Sequence, residues 1–155
     1  LKDEKMKLHR LLNTLEALKK NLFDLHSNLK IQQNALTTNN ADEIQNAIIE
    51  QEKILHNIRN CEQQRLLFMS QIFNSNEFNL EHNSISSLLV FLKNTDLENH
   101  NVLFALKNDI TNLMDKINIL NGQNSYIIEN ARKFIRDLMQ NLYDISKKNF
   151  LDRKV

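Results

Sequence analysis

Five histidines, one cysteine and a scatter of glutamates are the residues through which this chain of 155 could do chemistry, and their spacing assembles no reaction centre. His9, His26, His56, His82 and His100 have no i, i+4 partner among themselves and no cysteines beside them, so the ligand spacing of a zinc site is missing. Among Glu43, Glu50, Glu52 and Glu62, the nearest approach to the Glu-x-x-His step of carboxylate-bound metal bundles is Glu52 with His56. That spacing is four residues where the motif uses three. A single glycine rules out a glycine-rich phosphate loop, and the dinucleotide, Walker and nucleophile-elbow patterns do not occur. Cys61, between Ile58 and Arg65 on a helical pattern, reads as half-buried packing. The expectation is a protein that is not an enzyme, with no catalytic residues, no metal and no cofactor.

Composition narrows the partners. Twenty Lys and Arg against nineteen Asp and Glu give a formal net charge of +1, too little field to draw in nucleic acid or an anionic membrane. A lone cysteine allows no intrachain disulfide and fits a reducing compartment. No stretch reaches the ~18–20 apolar residues of a membrane span, and the N-terminus lacks a signal-peptide core, so a soluble, cytoplasmic chain without membrane insertion is expected. Its first residue, Leu1, predicts that a short N-terminal piece precedes it. The length suits one domain over residues 1–155. Near the end, Arg132, Lys133, Arg136, Lys147, Lys148, Arg153 and Lys154 outnumber Asp137, Asp144 and Asp152. Such cations complement a helix dipole, or form a docking surface for an acidic partner.

What must position these residues is a set of long helices. With no proline and two apolar stripes at heptad spacing, the chain predicts helices packed side by side. The first stripe is Leu8, Leu11, Leu15, Leu18, Leu22, Leu25, Leu29 and Leu36. The second is Leu103, Leu106, Ile110, Leu113, Ile117, Leu120, Ile127, Ala131, Phe134 and Leu138, with Gln32 and Asn124 filling the gaps. The expected fold is all-α: an elongated antiparallel hairpin of helices at about 2–37 and 41–73, a short helix at 84–93, and a long C-terminal helix at 96–148, in a coiled-coil-like three-helix bundle.

Finer signals mark the ends. The Thr37–Asn40 cluster stops the first helix, and Asn40 with Glu43 has capping-box spacing, as has Thr95 with Glu98. Ser84 or Asn83 would cap the short helix after a loop at 74–82. The second helix is expected to turn Ile44, Ile48, Leu55, Ile58, Cys61, Phe68 and Ile72 inward, with Gln51 and Arg65 between them. Gly122, inside the long helix, is either a tolerated surface glycine or a bend or close approach. A polar Asn124 on the seam costs stability and fixes register or partner.

Three pieces of this pattern resemble the FlgN family of flagellar type III export chaperones. The leucine-seamed first helix runs into Ala35-Leu36, and a short polar turn with Asp42 follows. A helix with Lys53 and Leu55 then reaches Glu62 and Arg65. The segment LNGQNSYIIENARKFIRDLMQNL, from Leu120 to Leu142, is similar to that family's C-terminal helix, with Leu120, Asn121, Asn124, Ile127 and Ile128 as the matching positions. The family's hairpin turn usually carries glycine where this chain has Thr37 to Asn40.

The resemblance implies a cytoplasmic chaperone that holds hook-associated, hook-filament junction proteins and hands them to the flagellar export gate. It also implies that the client contributes a C-terminal helical segment and that the long last helix receives it. On that helix the expected client-binding residues are Leu113, Ile117, Leu120, Asn121, Asn124, Ile127, Ile128, Ala131, Phe134, Ile135 and Leu138, with Met139 and Leu142 lying beside them. The free protein is expected to be a monomer or dimer. The competing expectation is a structural coiled-coil protein that self-associates through its seams.

Overall fold

The structure is a computed structural model that describes residues 2–75 and 84–152, with side chains placed for all of these except 74, 75, 146 and 149–152. Within them the chain forms α1 (Lys2–Thr37), α2 (Ala41–Ser75), α3 (Ile85–Thr95) and α4 (Leu97–Asp152). The all-α class is as expected. Of the loop expected at 74–82, residues 74 and 75 belong instead to α2, and the remainder lies outside the described residues, as do His82 and Asn83. α4 runs four residues past its expected end, with neither Pro nor Gly in its last turns to stop it.

The turn between α1 and α2 closes without glycine. Asn39 takes the left-handed conformation, at φ 53°, which asparagine tolerates better than most residues. Asn40 then caps α2 through its Oδ1, which accepts from the Glu43 backbone N–H at 3.2 Å. The second half of the expected capping box is not made, because the Asn40 N–H already donates to the Ala35 carbonyl at 2.9 Å. The cap of α4 also differs from expectation. Asp96, not Thr95, accepts the Asn99 N–H, at 3.2 Å, while the Thr95 hydroxyl donates back to the Phe91 carbonyl. Ser84 caps α3 by accepting from the Ser87 N–H.

α1 is the central helix. Its backbone packs against both α2 and α4, whose own backbones stay farther apart while side chains such as Ile54 and Leu120 share a cluster, and α3 lies along the start of α4. The α1 leucine stripe is buried from Leu8 to Leu29. Around its N-terminal half, Leu8, Leu11, Leu15, Met69, Phe73, Leu88, Leu92, Leu103 and Leu106 share one cluster, and nearer the hairpin turn Leu25, Leu29, Ile54 and Leu120 form a second. Such burial is what holds helices that would each be marginal alone.

α2 corrects two positions. Ile48 and Leu55 are exposed, at 44% and 39%, and the buried residues are their neighbours Ala47 and Ile54. The buried side of α2 therefore runs Ala47, Ile54 and Cys61 at seven-residue steps, with Gln51 and Ile58 between them, and ends on Met69, Ile72 and Phe73 beside the partly buried Phe68. Gly122 sits in open space with no atom within 4 Å of an added Cβ, so no neighbouring helix makes a close approach there.

Candidate docking surface on the last helix

α1 and α4 run parallel. Their contacts pair residues 90 to 95 apart in sequence: Gln33 with Gln123, Gln32 with Asn124, and the Leu29 carbonyl with Asn124. Lys19 and Asp109 make an ion pair at 2.8 Å in the same register. Thr37, the last residue of α1, therefore stands opposite roughly residue 129 of α4. Beyond that level no other described helix lies beside α4, which continues to Asp152, a projection of roughly 35 Å at 1.5 Å per residue.

A polar layer marks the root of this projection. Asn124 is 2% exposed, and its Nδ2 donates to the Leu29 carbonyl at 3.0 Å and to Gln32 Oε1 at 3.1 Å. Gln51 of α2 donates to the same Gln32 oxygen at 3.1 Å, so three helices are tied at one level. The Asn124 Oδ1 is buried without a partner, a cost of about 1–3 kcal/mol that the two donated bonds offset. An amide layer inside an apolar seam penalises any slide that would set it against leucines.

Past that layer the side chains open to solvent. Ile127 and Ile128 are partly covered, and from residue 129 to 148 every described side chain is exposed. Phe134 is 67% exposed, Ile135 57%, Leu138 46%, Met139 65%, Leu142 55% and Ile145 57%. At 3.6 residues per turn these positions, with Ala131, fall on one arc of about 140°, the continuation of the stripe that α1 covers farther back. A contiguous exposed apolar face, unlike scattered single residues, marks an interaction surface.

The expected client-binding residues thus divide. Leu113, Ile117, Leu120 and Asn124 pack within the bundle, where α1 already covers them. Asn121 is exposed off the seam. Ile127 and Ile128 form the threshold, and Ala131, Phe134, Ile135 and Leu138 stand free with Met139 and Leu142 beside them. Tyr143 and Ile145, exposed at 63% and 57%, extend the surface beyond the expected set. The step from Leu138 through Leu142 to Ile145 carried that signal in the sequence.

Charge along the projection is uneven. Arg132, Arg136 and Lys147 follow one edge of the apolar arc, and the other is balanced, with Lys133 and Lys148 beside Asp137 and Asp144 and with Asn130 and Asn141 nearest the arc. Arg136 Nη2 reaches Glu129 Oε1 at 3.2 Å, an exposed pair that contributes little to stability.

Elsewhere the described residues hold no group of three or more His, Cys, Asp and Glu placed to bind a metal ion. Cys61 is buried, more fully than its sequence setting suggests. Loss of solvent pushes its thiol pKa up, and the amide of Asn21, 3.9 Å away, only partly opposes this. Its thiolate is therefore scarce at neutral pH. No described helix is long and apolar enough to cross a membrane. Comparison with protein-family models, curated proteins and solved structures gives no match.

Proposed function

We propose that the projecting end of α4 receives an amphipathic helical segment of a client protein. On this reading the chain is a non-enzymatic, cytoplasmic export chaperone of the FlgN kind, keeping hook-filament junction proteins ready for delivery to the flagellar export gate. The observation that supports it is the uncovered arc on α4 past the end of α1, from Ala131 to Ile145. A helix laid into that arc buries apolar surface on both molecules and leaves their polar faces in water, the helix-in-groove mode of recognition. A client segment that aggregates when free is shielded in the same act.

The buried half of the stripe supports this division of labour. Leu120 and Asn124 hold the rod against α1, so the docking surface is offered on a root that does not itself have to open. The test is calorimetric titration of the chain with a C-terminal helical segment of a junction protein from the same organism. A 1:1 complex is expected, weakened by several kcal/mol in Phe134→Asp, because an aspartate buried without a partner is strongly penalised. Ile127→Asp is expected to weaken it less, since Ile127 is already partly covered. Unchanged affinity in both variants refutes the assignment of the surface.

One feature favours a second reading. The exposed arc continues the heptad phase of the α1-covered seam without a break, as it would in a coiled coil that pairs with a copy of itself. Sedimentation velocity of the free chain across a concentration series separates the two, since a client surface leaves a monomer and a self-pairing seam a dimer.

A further inference from the structure

Resting on the reading of the projecting arc as a docking surface, we infer that its occupant is an acidic amphipathic helix from another protein and not a second copy of this chain. Two observations carry this: where α1 ends, and how charge is distributed along the edges of the arc.

A second copy can enter only in limited ways. Up to about residue 128 the same stripe of α4 is covered by α1. A parallel copy of α4, seated on the free arc and continued backward along its own length, would run into the space that α1 fills. Only an antiparallel copy, approaching from the far end, can lie on the arc. Two-fold symmetry then sets each edge of the arc against the same edge of the other molecule. The edge with Arg132, Arg136 and Lys147 against the one Glu129 would then meet itself, an excess of cations facing an excess of cations, whereas the other edge, with Lys133 and Lys148 beside Asp137 and Asp144, is balanced. The cation excess opposed along the first edge disfavours that pairing.

A foreign helix carries no such constraint. Between residues 129 and 148 the projection has five cationic and three anionic side chains. On the basic edge the only carboxylate is Glu129, which is already engaged with Arg136. Arg132 makes no ion pair among the described residues and stands nearest the apolar arc on that edge, where a glutamate flanking the apolar seam of a docked helix would meet it. Acidic flanks also keep such a segment from binding nucleic acid or anionic lipid before it is captured.

The test uses the full-length chain and three fluorescein-labelled, 21-residue amphipathic peptides with one common Leu/Ile seam. Their edge positions are all glutamate, all glutamine or all lysine, and binding is followed by fluorescence anisotropy in low salt. The glutamate peptide is expected to bind about tenfold more tightly than the lysine peptide, with glutamine between them. That preference should shrink in high salt and disappear in the double variant Arg132→Gln, Arg136→Gln. Equal binding of all three overturns the acidic-partner inference while leaving the docking surface in place. Binding of none removes the surface and this inference together. A free chain that sediments as a dimer, and as a monomer once Phe134→Asp is introduced, overturns the exclusion of a second copy.

Discussion

Leu120 and Leu138 are the same residue on the same helix, 18 positions apart, about five full turns, and therefore on the same face. The structure gives them opposite surroundings. Leu120 is 8% exposed and packed with Leu25, Leu29 and Ile54, whereas Leu138 is 46% exposed with no helix opposite it. Truncating a buried leucine to alanine costs about 2–5 kcal/mol, depending on how far the site can collapse. The Leu120 cluster is small and sits at the margin of the bundle, so the low end applies, about 2–3 kcal/mol. Leu138→Ala should stay within about 0.5 kcal/mol, as a surface change does, and the difference in helix propensity is small and common to both variants. Urea unfolding followed by far-UV circular dichroism measures this directly, and the expected result is a lowered midpoint for Leu120→Ala with an unchanged slope. In thermal unfolding the gap corresponds to roughly 4–12 °C for a chain of this size. If Leu138→Ala destabilises as much as Leu120→Ala, the projecting helix is covered in solution and α1 does not hold this register against α4.

Two further outcomes follow from the same geometry. Backbone amides from about residue 132 onward should exchange with solvent far faster than those between Leu103 and Asn124, because an unsupported helix of some six turns is only marginally stable. Hydrogen-exchange mass spectrometry on the free chain reads this, and uniform protection along α4 would contradict it. Burial, together with the nearby Lys30 and Lys116, holds the His26 imidazole below its ordinary value of 6.5, while Asn99, through its side chain and backbone N–H, holds the Asp96 carboxyl below 3.8. Both groups have a folded pKa depressed relative to the unfolded chain. Each contribution is therefore complete above the unfolded value and is lost as pH falls through the folded one. His26→Gln should flatten the decline below about pH 6.5. Asp96→Asn should keep the cap but remove its acid sensitivity, and Asp96→Ala should cost about 0.5–1 kcal/mol at neutral pH. Denaturant midpoints measured between pH 3 and pH 8 check all three.

Much of the fold was legible because it rests on local physics. The periodicity of the leucines, the absence of proline and the polar break at Thr37–Asn40 set the all-α class, the number of helices and their approximate spans. α2 was harder for a definable reason. Apolar pairs at Ala47-Ile48 and Ile54-Leu55 put two candidates side by side, about 100° apart on the helix, and the pattern alone does not choose. Packing on α1 chooses Ala47 and Ile54, whose seven-residue step leads on to the buried Cys61, whereas the same step from Ile48 and Leu55 leads to Glu62. The caps show the same limit at smaller scale. Asn40 and Ser84 act as their residue types suggest, but Asp96 displaces Thr95, and the Asn40 N–H is claimed by the preceding helix before Glu43 can reach it.

Of the candidate docking surface, the sequence alone determined which residues share a face of α4, because that depends only on helical pitch. It did not determine where along that face the cover ends. A heptad stripe looks the same after every seven residues, so α1 could slide along α4 by whole heptads and still bury leucine against leucine. The tertiary structure makes that choice through interactions that do not repeat: the layer of Gln32, Gln51 and Asn124, the Lys19–Asp109 pair, and the Asp96 cap that sets where α4 begins. Those few polar contacts decide that Leu120 is core and Leu138 is surface, and so place the free arc at the far end of the molecule.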